Sequence, residues 1–324
     1  MVHAVRIHEY GGPEQLRWEE VGVGTLGPGQ ARIAQTAVGL NYIDVYHRTG
    51  LYKLPELPAV IGMEGAGTVL ALGPGVEGLA VGDRVAYASP VGAYAEERLI
   101  AADRLVKLPD GISEQTAAAM MLQGMTVQYL LRRTYKVGPQ TVMLLHAAAG
   151  GVGLIACQWA RHLGATIIGT VGSPEKAALA KAAGCTHTID YRREDFVARV
   201  KEITGGEGCD VVYDSIGKDT FPGSLDCLKP MGLWVSFGNA SGPVPPFDMA
   251  MLSAKGSLFA TRPTLMTYTA RRGDLLAAAG ELFDLVEKGV VEISVNQTYP
   301  LREAAQAHRD LEARKTTGST VLVP

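Results

Sequence analysis

"LLHAAAGGVGLIACQWARHLGATIIGTVGSPEK" runs from Leu144 to Lys176. An apolar run of strand type enters a glycine turn. A helical stretch follows, and a second apolar run ends in Gly172-Ser173-Pro174-Glu175-Lys176. Strand, glycine turn, helix and strand in that order form the cradle of a dinucleotide pyrophosphate. Set against Gly-x-Gly-x-x-Gly, the three positions are Ala148, Gly150 and Gly153, so the first glycine is replaced. Gly150 and Gly151 let the backbone approach a pyrophosphate, and Gly153 lets the helix beginning near Val152 pack closely on the strand. The helix N-terminus adds N–H donors and a favourable dipole. A degenerate glycine motif also describes a plain tight turn; the flanking strands favour the nucleotide site.

A site for NAD places Asp or Glu about 20 residues further on, against the ribose 2′-hydroxyl. This chain has Gly172 and Ser173 there, with Lys176 in the next turn. A carboxylate repels a 2′-phosphate, whereas a hydroxyl and an ammonium accept one. Lys176 by itself reads equally as a solvated helix residue. With the acid missing, the pattern points to NADPH rather than NADH.

Outward from this stretch, strand-like runs alternate with helical ones. "TVMLLHA", "ATIIGTV", "THTIDY", "CDVVYDSIG", "GLWVSFG" and "SLFATRP" are short, apolar and β-branched. Helical segments separate most of them, as a parallel sheet with crossover helices requires. Upstream, the chain is dense in glycine and proline, with β-type runs such as "ARIAQTAVGL" and "GAGTVLALG", a pattern that predicts an all-β unit with tight turns. Between the two, "SEQTAAAMMLQGMTVQYLLRRTYKVG" (113–138) predicts a helix with a Ser start and a glycine stop. A long amphipathic helix is expected over roughly 267–288, followed by a strand, another helix and the closing strand "STVLVP".

The 324 residues suffice for two cores. A net charge of -3 with interspersed signs leaves no footprint for nucleic acid or an anionic membrane. "MVHAVRIHEYGG" carries charges and no apolar centre, so it does not read as a secretory signal. The longest apolar region, 141–160, is broken by three glycines and a histidine, which excludes a spanning helix. Cys157, Cys185, Cys209 and Cys227 show no metal-binding spacing and read as buried apolar residues of a reducing compartment. A cytoplasmic protein is expected.

At this point the chain resembles a known family. "AVGLNYIDVYHRTGLY", "GMEGAGTVLALGPGV", "VGDRVAY", "HAAAGGVGLIACQWA" and "VSFGNASGPV" follow in the order seen in the medium-chain dehydrogenase/reductase superfamily. The chain is most similar to its zinc-free branch, the NADPH:quinone oxidoreductases like zeta-crystallin, over its whole length through "RKTTGSTVLVP". The resemblance implies an α/β protein: a GroES-like β domain (1–124 with 266–324) and a doubly wound Rossmann nucleotide-binding domain (125–265). It places the site in the cleft between them. It also implies a homodimer formed through the Rossmann edge strand in "GSLFATRP".

Departures from the zinc-dependent alcohol dehydrogenases bear on chemistry. Asn41 stands where those enzymes have a cysteine ligand, and Gly62-Met63-Glu64 where they have Gly-His-Glu. Asn and Met are poor zinc ligands beside thiolate and imidazole. The four-cysteine lobe is absent too, since "SPVGAYAEERL" passes straight through, so no metal is expected. Alcohol oxidation needs an alkoxide stabilised, commonly by zinc, whereas reducing a quinone yields a weakly basic phenolate that hydrogen-bond donors can stabilise.

By resemblance, Asn41, Tyr46 and Tyr52 are the catalytic candidates beside the nicotinamide, with Asn41 also touching cofactor; Tyr46 and Tyr52 read equally as residues that only pack a wall. Thr126, Gly150, Gly151, Val152, Gly153, Phe237 and Gly238 border the cofactor. Ser173, Lys176, Tyr191 and Arg314 form a clamp on the 2′-phosphate. Gln123 departs from the branch, whose close members often carry lysine there. A second expectation is reduction of an activated double bond, in an enone or an enoyl thioester. A coenzyme A moiety wants a basic groove, but the paired Arg132/Arg133 and Arg271/Arg272 read as solvated faces. A third is a weakly catalytic NADPH-binding structural or nucleic-acid-binding protein, against which the mildly acidic charge argues.

Overall fold

The computed structural model describes all residues from Met1 to Pro324. The chain forms two compact units. One comprises Met1–Met125, Thr269–Glu287 and Ile293–Pro324; the other comprises Thr126–Tyr268 and Lys288–Glu292.

The unit from Thr126 to Tyr268 is built on six parallel strands. Across the sheet they run His187–Asp190, Thr166–Val171, Val142–Leu145, Cys209–Asp214, Leu228–Ser236 and Phe259–Thr261. Short β-branched runs suit strands buried on both faces, and helices such as Gly151–His162 and Pro174–Ala182 supply the crossovers. Leu144, Ile168, Ile189, Val212 and Trp234 meet in one apolar cluster. Chain order reverses beside Val142–Leu145, so the turn leaving that strand opens at the switch point where such sheets hold ligands. This is the doubly wound nucleotide fold.

The other unit is mainly antiparallel. Its seven-stranded sheet places Ser319–Val323 beside Gln30–Leu40, which in turn pairs with Glu64–Leu72 and Glu97–Ala101. The strand Val295–Pro300 extends the sheet beyond Ser319–Val323. Ile33, Val38, Leu40, Val69, Val85, Ile100 and Leu322 fill its core. The buried Gln35 is paired: it donates through Nε2 to the carbonyls of Ala93 and Ala95, both at 2.6 Å, and accepts from the Tyr87 hydroxyl. This is the GroES-like half of the expected architecture.

Two helices differ from the sequence expectation. The segment 113–138 is three pieces: Glu114–Ala118, Met121–Tyr129 and a π-helical turn Leu130–Thr134. Ser113 caps the first, accepting from Thr116 N at 3.1 Å. The break near Ala119 is made by a distant acid, because Leu122 N donates to Glu64 Oε1 at 2.7 Å. Likewise 267–288 divides into Leu265–Tyr268 and Arg272–Glu287. There Arg133 takes the Tyr268 carbonyl at 2.8 Å and Arg104 takes that of Thr269 at 3.0 Å, which pulls acceptors away from a continuous helix.

Candidate active site

Gly150 is the extended residue before the helix Gly151–His162, so Gly151, Val152 and Gly153 form its first turn, with backbone N–H groups at its open end. A Cβ on Gly153 would stand 2.6 Å from the Ala148 carbonyl and closer still to that of Ala147, so only glycine lets the helix lie this near the strand. The replaced first glycine has a partner that the motif does not show. The Ala148 methyl packs toward Gly169 on the neighbouring strand, where a Cβ would meet it at 2.6 Å. Bulk added at 148 is removed at 169.

At the end of Thr166–Val171 the expected clamp residues gather. Ser173 caps the helix Pro174–Ala182, its hydroxyl accepting from Lys176 N at 3.3 Å. Tyr191 brings its hydroxyl against Gly172. The same turn also carries Glu175, which the sequence reading passed over. Its carboxyl is held below the ordinary value, first by a hydrogen bond from the Ser173 side chain. A phosphate here would compete with that carboxylate for the hydroxyl. Arg314, the fourth expected member, belongs to the first unit, just after the helix Ala304–Glu312 with its φ in the left-handed region.

Asn41, Tyr46 and Tyr52 lie together in the first unit. Asn41 precedes the helix Tyr42–Thr49, which carries Tyr46 on a buried face. Tyr52 N donates to the Tyr46 carbonyl at 3.0 Å, and the two rings meet edge-to-face at 5.1 Å. The Asn41 carboxamide is buried between two polar neighbours: Nδ2 lies 2.6 Å from Glu64 Oε2, and Oδ1 lies 3.0 Å from Gln123 Nε2. Gln123 in turn meets Ser319 Oγ at 2.8 Å. The sequence signal for Glu64 was a lone acid in the otherwise apolar "VIGMEGAGTVL".

Beneath Asn41 lies a second buried acid. Asp44 Oδ2 accepts from Asn41 N at 2.9 Å and from the Tyr94 hydroxyl at 3.2 Å. Burial pushes Asp44 up to about 7 and Glu64 up to about 8. The Tyr94 hydroxyl also meets His308 Nε2 at 3.0 Å, and His308 Nδ1 meets Arg48 at 3.0 Å. Burial holds the His308 ring at about 3, hence neutral. Arg48 closes the chain with two 2.8 Å bonds to Glu312, fixing the helix Tyr42–Thr49 onto Ala304–Glu312.

The remaining expected residues occupy the nucleotide unit. Thr126 is buried in the helix Met121–Tyr129. Phe237 and Gly238 follow the strand Leu228–Ser236, with Phe237 N on the Asp214 carbonyl at 2.8 Å. Asp214 in turn accepts from Ile216 N at 2.9 Å and Gly217 N at 3.1 Å, which orders the loop beside them. Arg132, Arg133 and Arg271 are exposed, as solvated faces require, and one member of each pair also holds backbone. Arg133 takes the Tyr268 carbonyl, and Arg272 takes the carbonyls of Asp103 and Leu105 at 2.8 and 2.6 Å.

The donors at the positions of a catalytic zinc do not suit that ion. Asn41 is engaged by Glu64 and Gln123, Met63 is buried, and no group of three or more His, Cys, Asp or Glu is placed to hold a metal.

Residues 27–110 match the alcohol dehydrogenase GroES-like domain, and residues 151–273 match the model described as zinc-binding dehydrogenase. A quinone oxidoreductase of Pseudomonas aeruginosa is 54% identical over 325 residues, covering 100% of both chains. A 2-haloacrylate reductase of a Burkholderia species is 50% identical, covering 100% of this chain and 99% of that one. The crystal structure of Escherichia coli quinone oxidoreductase complexed with NADPH superposes with a TM-score of 0.98 at 49% identity, covering 99% of this chain and 100% of that one. With this likeness running through both units, the chain belongs to the quinone oxidoreductases of the medium-chain dehydrogenase/reductase family.

Proposed function

We propose that this protein is an NADPH-dependent quinone oxidoreductase that works without a metal ion. The observation that carries the reading is the buried Asn41, held at one end by Glu64 and at the other by Gln123, on the same stretch of chain as the paired rings of Tyr46 and Tyr52. When bound, NADPH supplies two reducing equivalents, and with one proton the quinone becomes a hydroquinone. Asn41 orients either the acceptor oxygen or the cofactor amide, while Tyr46 and Tyr52 line the acceptor position and stabilise the developing phenolate. Gly150, Gly151, Val152 and Gly153 receive the pyrophosphate on backbone N–H groups. Ser173, Lys176 and Tyr191 take the 2′-phosphate, and Thr126, Phe237 and Gly238 border the nicotinamide half.

The 2-haloacrylate reductase at 50% identity favours a second reading, reduction of a double bond conjugated to a carbonyl. The same donors would then stabilise an enolate. A panel of quinones, enones, a haloacrylate, an enoyl thioester and an aldehyde, offered to chelator-treated protein with NADPH or NADH, separates the two. Fast quinone turnover with NADPH supports the first; preference for the conjugated acids or thioester replaces the substrate class.

In our reading the working form is a cytoplasmic homodimer. The edge strand Phe259–Thr261 pairs on one side only, with Leu228–Ser236, and Phe259, Met231 and Met249 are exposed in the same unit. Pairing with a two-fold mate would cover such an edge. No helix is long and apolar enough to cross a membrane. Sedimentation at micromolar protein tests the dimer: a monomer there removes it.

A further inference from the structure

The buried chain Glu64–Asn41–Gln123–Ser319 has a direction, and its far end sets it. Ser319 Oγ lies 2.8 Å from the Ala119 carbonyl oxygen and 2.8 Å from the Gln123 carboxamide. A carbonyl oxygen only accepts, and a hydroxyl has one hydrogen to give. If that hydrogen went to Gln123, two oxygens would face each other at 2.8 Å with nothing between them. It therefore goes to Ala119, and Ser319 Oγ accepts from Gln123.

A half-turn of a carboxamide exchanges its nitrogen and oxygen within the same outline. Gln123 thus gives its nitrogen to Ser319 and its oxygen to Asn41, 3.0 Å away. Asn41 answers with nitrogen, which leaves its own oxygen against the Glu64 carboxyl at 2.6 Å. Two oxygens at that distance need a hydrogen between them, and only the carboxyl can carry it.

We propose that Glu64 is a positioning residue that keeps a proton, donates a hydrogen bond through it to the Asn41 side-chain oxygen and thereby fixes which atoms of Asn41 face the reacting molecule. In this polarity the Asn41 oxygen is engaged by Glu64 and one Nδ2 hydrogen by Gln123. The first-turn N–H of Asp44, which the Asn41 side chain also faces, keeps the Asn41 main-chain carbonyl as its acceptor at 3.0 Å, and the second Nδ2 hydrogen is the one Asn41 has to offer. Asn41 is then a donor with a fixed direction, which suits an acceptor carbonyl.

The surroundings of Glu64 agree. The backbone N–H groups of Leu122 and Met121 face it from the helix, Asp44 acts on it from Tyr42–Thr49, and its own field reaches Tyr87. The strand Gln30–Leu40 brings backbone at Gly39. None of these is a cation, so an ionised Glu64 would be a buried charge without a counter-ion. Burial accordingly raises the group to about 8.

The role in orienting a reacting molecule rests on the reading of Asn41 given above; the proton does not. Infrared difference spectra of the whole protein against E64Q test the proton directly. We expect a protonated-carboxyl carbonyl band at neutral pH in wild type, absent in E64Q and lost on alkaline titration. Its absence from wild type at neutral pH overturns the proposal. In kinetics with NADPH and a quinone, wild-type kcat/KM should fall about tenfold per pH unit above that titration. E64Q, whose amide can donate in the same place, should lack this limb. An unchanged limb in E64Q severs the link from Glu64 to Asn41. Should E64Q fold poorly, the Asn41 and Gln123 side-chain amide resonances of wild type must shift together with the carboxyl titration, and independent behaviour overturns the chain. A protein with the band but no turnover of any acceptor refutes the proposed function and leaves the proton in place.

Discussion

The Tyr191 hydroxyl rests against the bare α-carbon of Gly172, where a Cβ would stand 2.6 Å from it. The absent side chain therefore holds the tyrosine beside the Ser173 cap, in addition to removing an acid from the 2′ position. Gly172→Asp should displace the ring and add a charge that repels a 2′-phosphate. We expect the ratio of kcat/KM for NADPH over NADH to fall about 10- to 100-fold, or about 1.4–2.8 kcal/mol. Steady-state kinetics with both cofactors measures it, and an unchanged ratio removes the 2′-phosphate from this corner.

Lys176→Glu probes the same corner through charge. NADPH binding should weaken about tenfold or more while NADH binding changes little, because only NADPH carries the extra phosphate. Titration calorimetry with each cofactor reads this directly. Equal losses would return Lys176 to the role of an ordinary helix residue.

How much of this was legible in sequence follows from the range over which each feature is determined. The strands Val142–Leu145, Thr166–Val171 and Cys209–Asp214 announce themselves, because β-branched runs and the glycine turn are local signals. The breaks at Ala119 and at Thr269 do not. Periodicity predicts continuous helices there, and the groups that interrupt them, Glu64 and Arg104, come from far along the chain. Ala148 shows the same limit: read locally it is a defect in the motif, and only Gly169 on the next strand explains it. The candidate catalytic residues were named by family resemblance, whereas the neighbours that orient Asn41 became visible only in three dimensions.

Replacing Arg48 tests the strut behind the helix Tyr42–Thr49. Arg48→Met leaves His308 and the half-buried Glu312 without their partner, and also loses the 3.0 Å bond to the Gly11 carbonyl. Breaking such a pair costs about 3 kcal/mol. A clear drop in Tm is the expected result, and a neutral outcome would show that the network contributes geometry rather than stability.

The pH dependence of stability has a defined sign. Glu64 titrates at about 8 when folded and near 4.5 when unfolded, so between these values the native state binds more protons and loses stability as pH rises. Asp44, raised from 3.8 to about 7, acts in the same sense. His308, lowered from 6.5 to about 3, acts in the opposite one. In a comparison of wild type with E64Q the last two terms cancel, and Gln does not titrate. The stability of E64Q relative to wild type should therefore grow from pH 4.5 to about 8 by at most about 1.4 kcal/mol per unit, then level off. Urea unfolding across that range checks it; a flat difference means Glu64 is ionised in the native protein.

The pairing of Ser319–Val323 with Gln30–Leu40 has a consequence for synthesis. On the ribosome the strand Gln30–Leu40 emerges early, yet its neighbour arrives only after the whole nucleotide unit has been translated. Until then that edge stands open, and Gln123 and Arg48 await Ser319 and Glu312. The nucleotide unit, nearly continuous in sequence, can close on its own as domains generally do during translation. The nascent protein would thus complete its nucleotide fold before the buried chain of Asn41, Gln123 and Ser319, and a chain stalled short of Ser319 would present a sheet edge to every other chain in the cell.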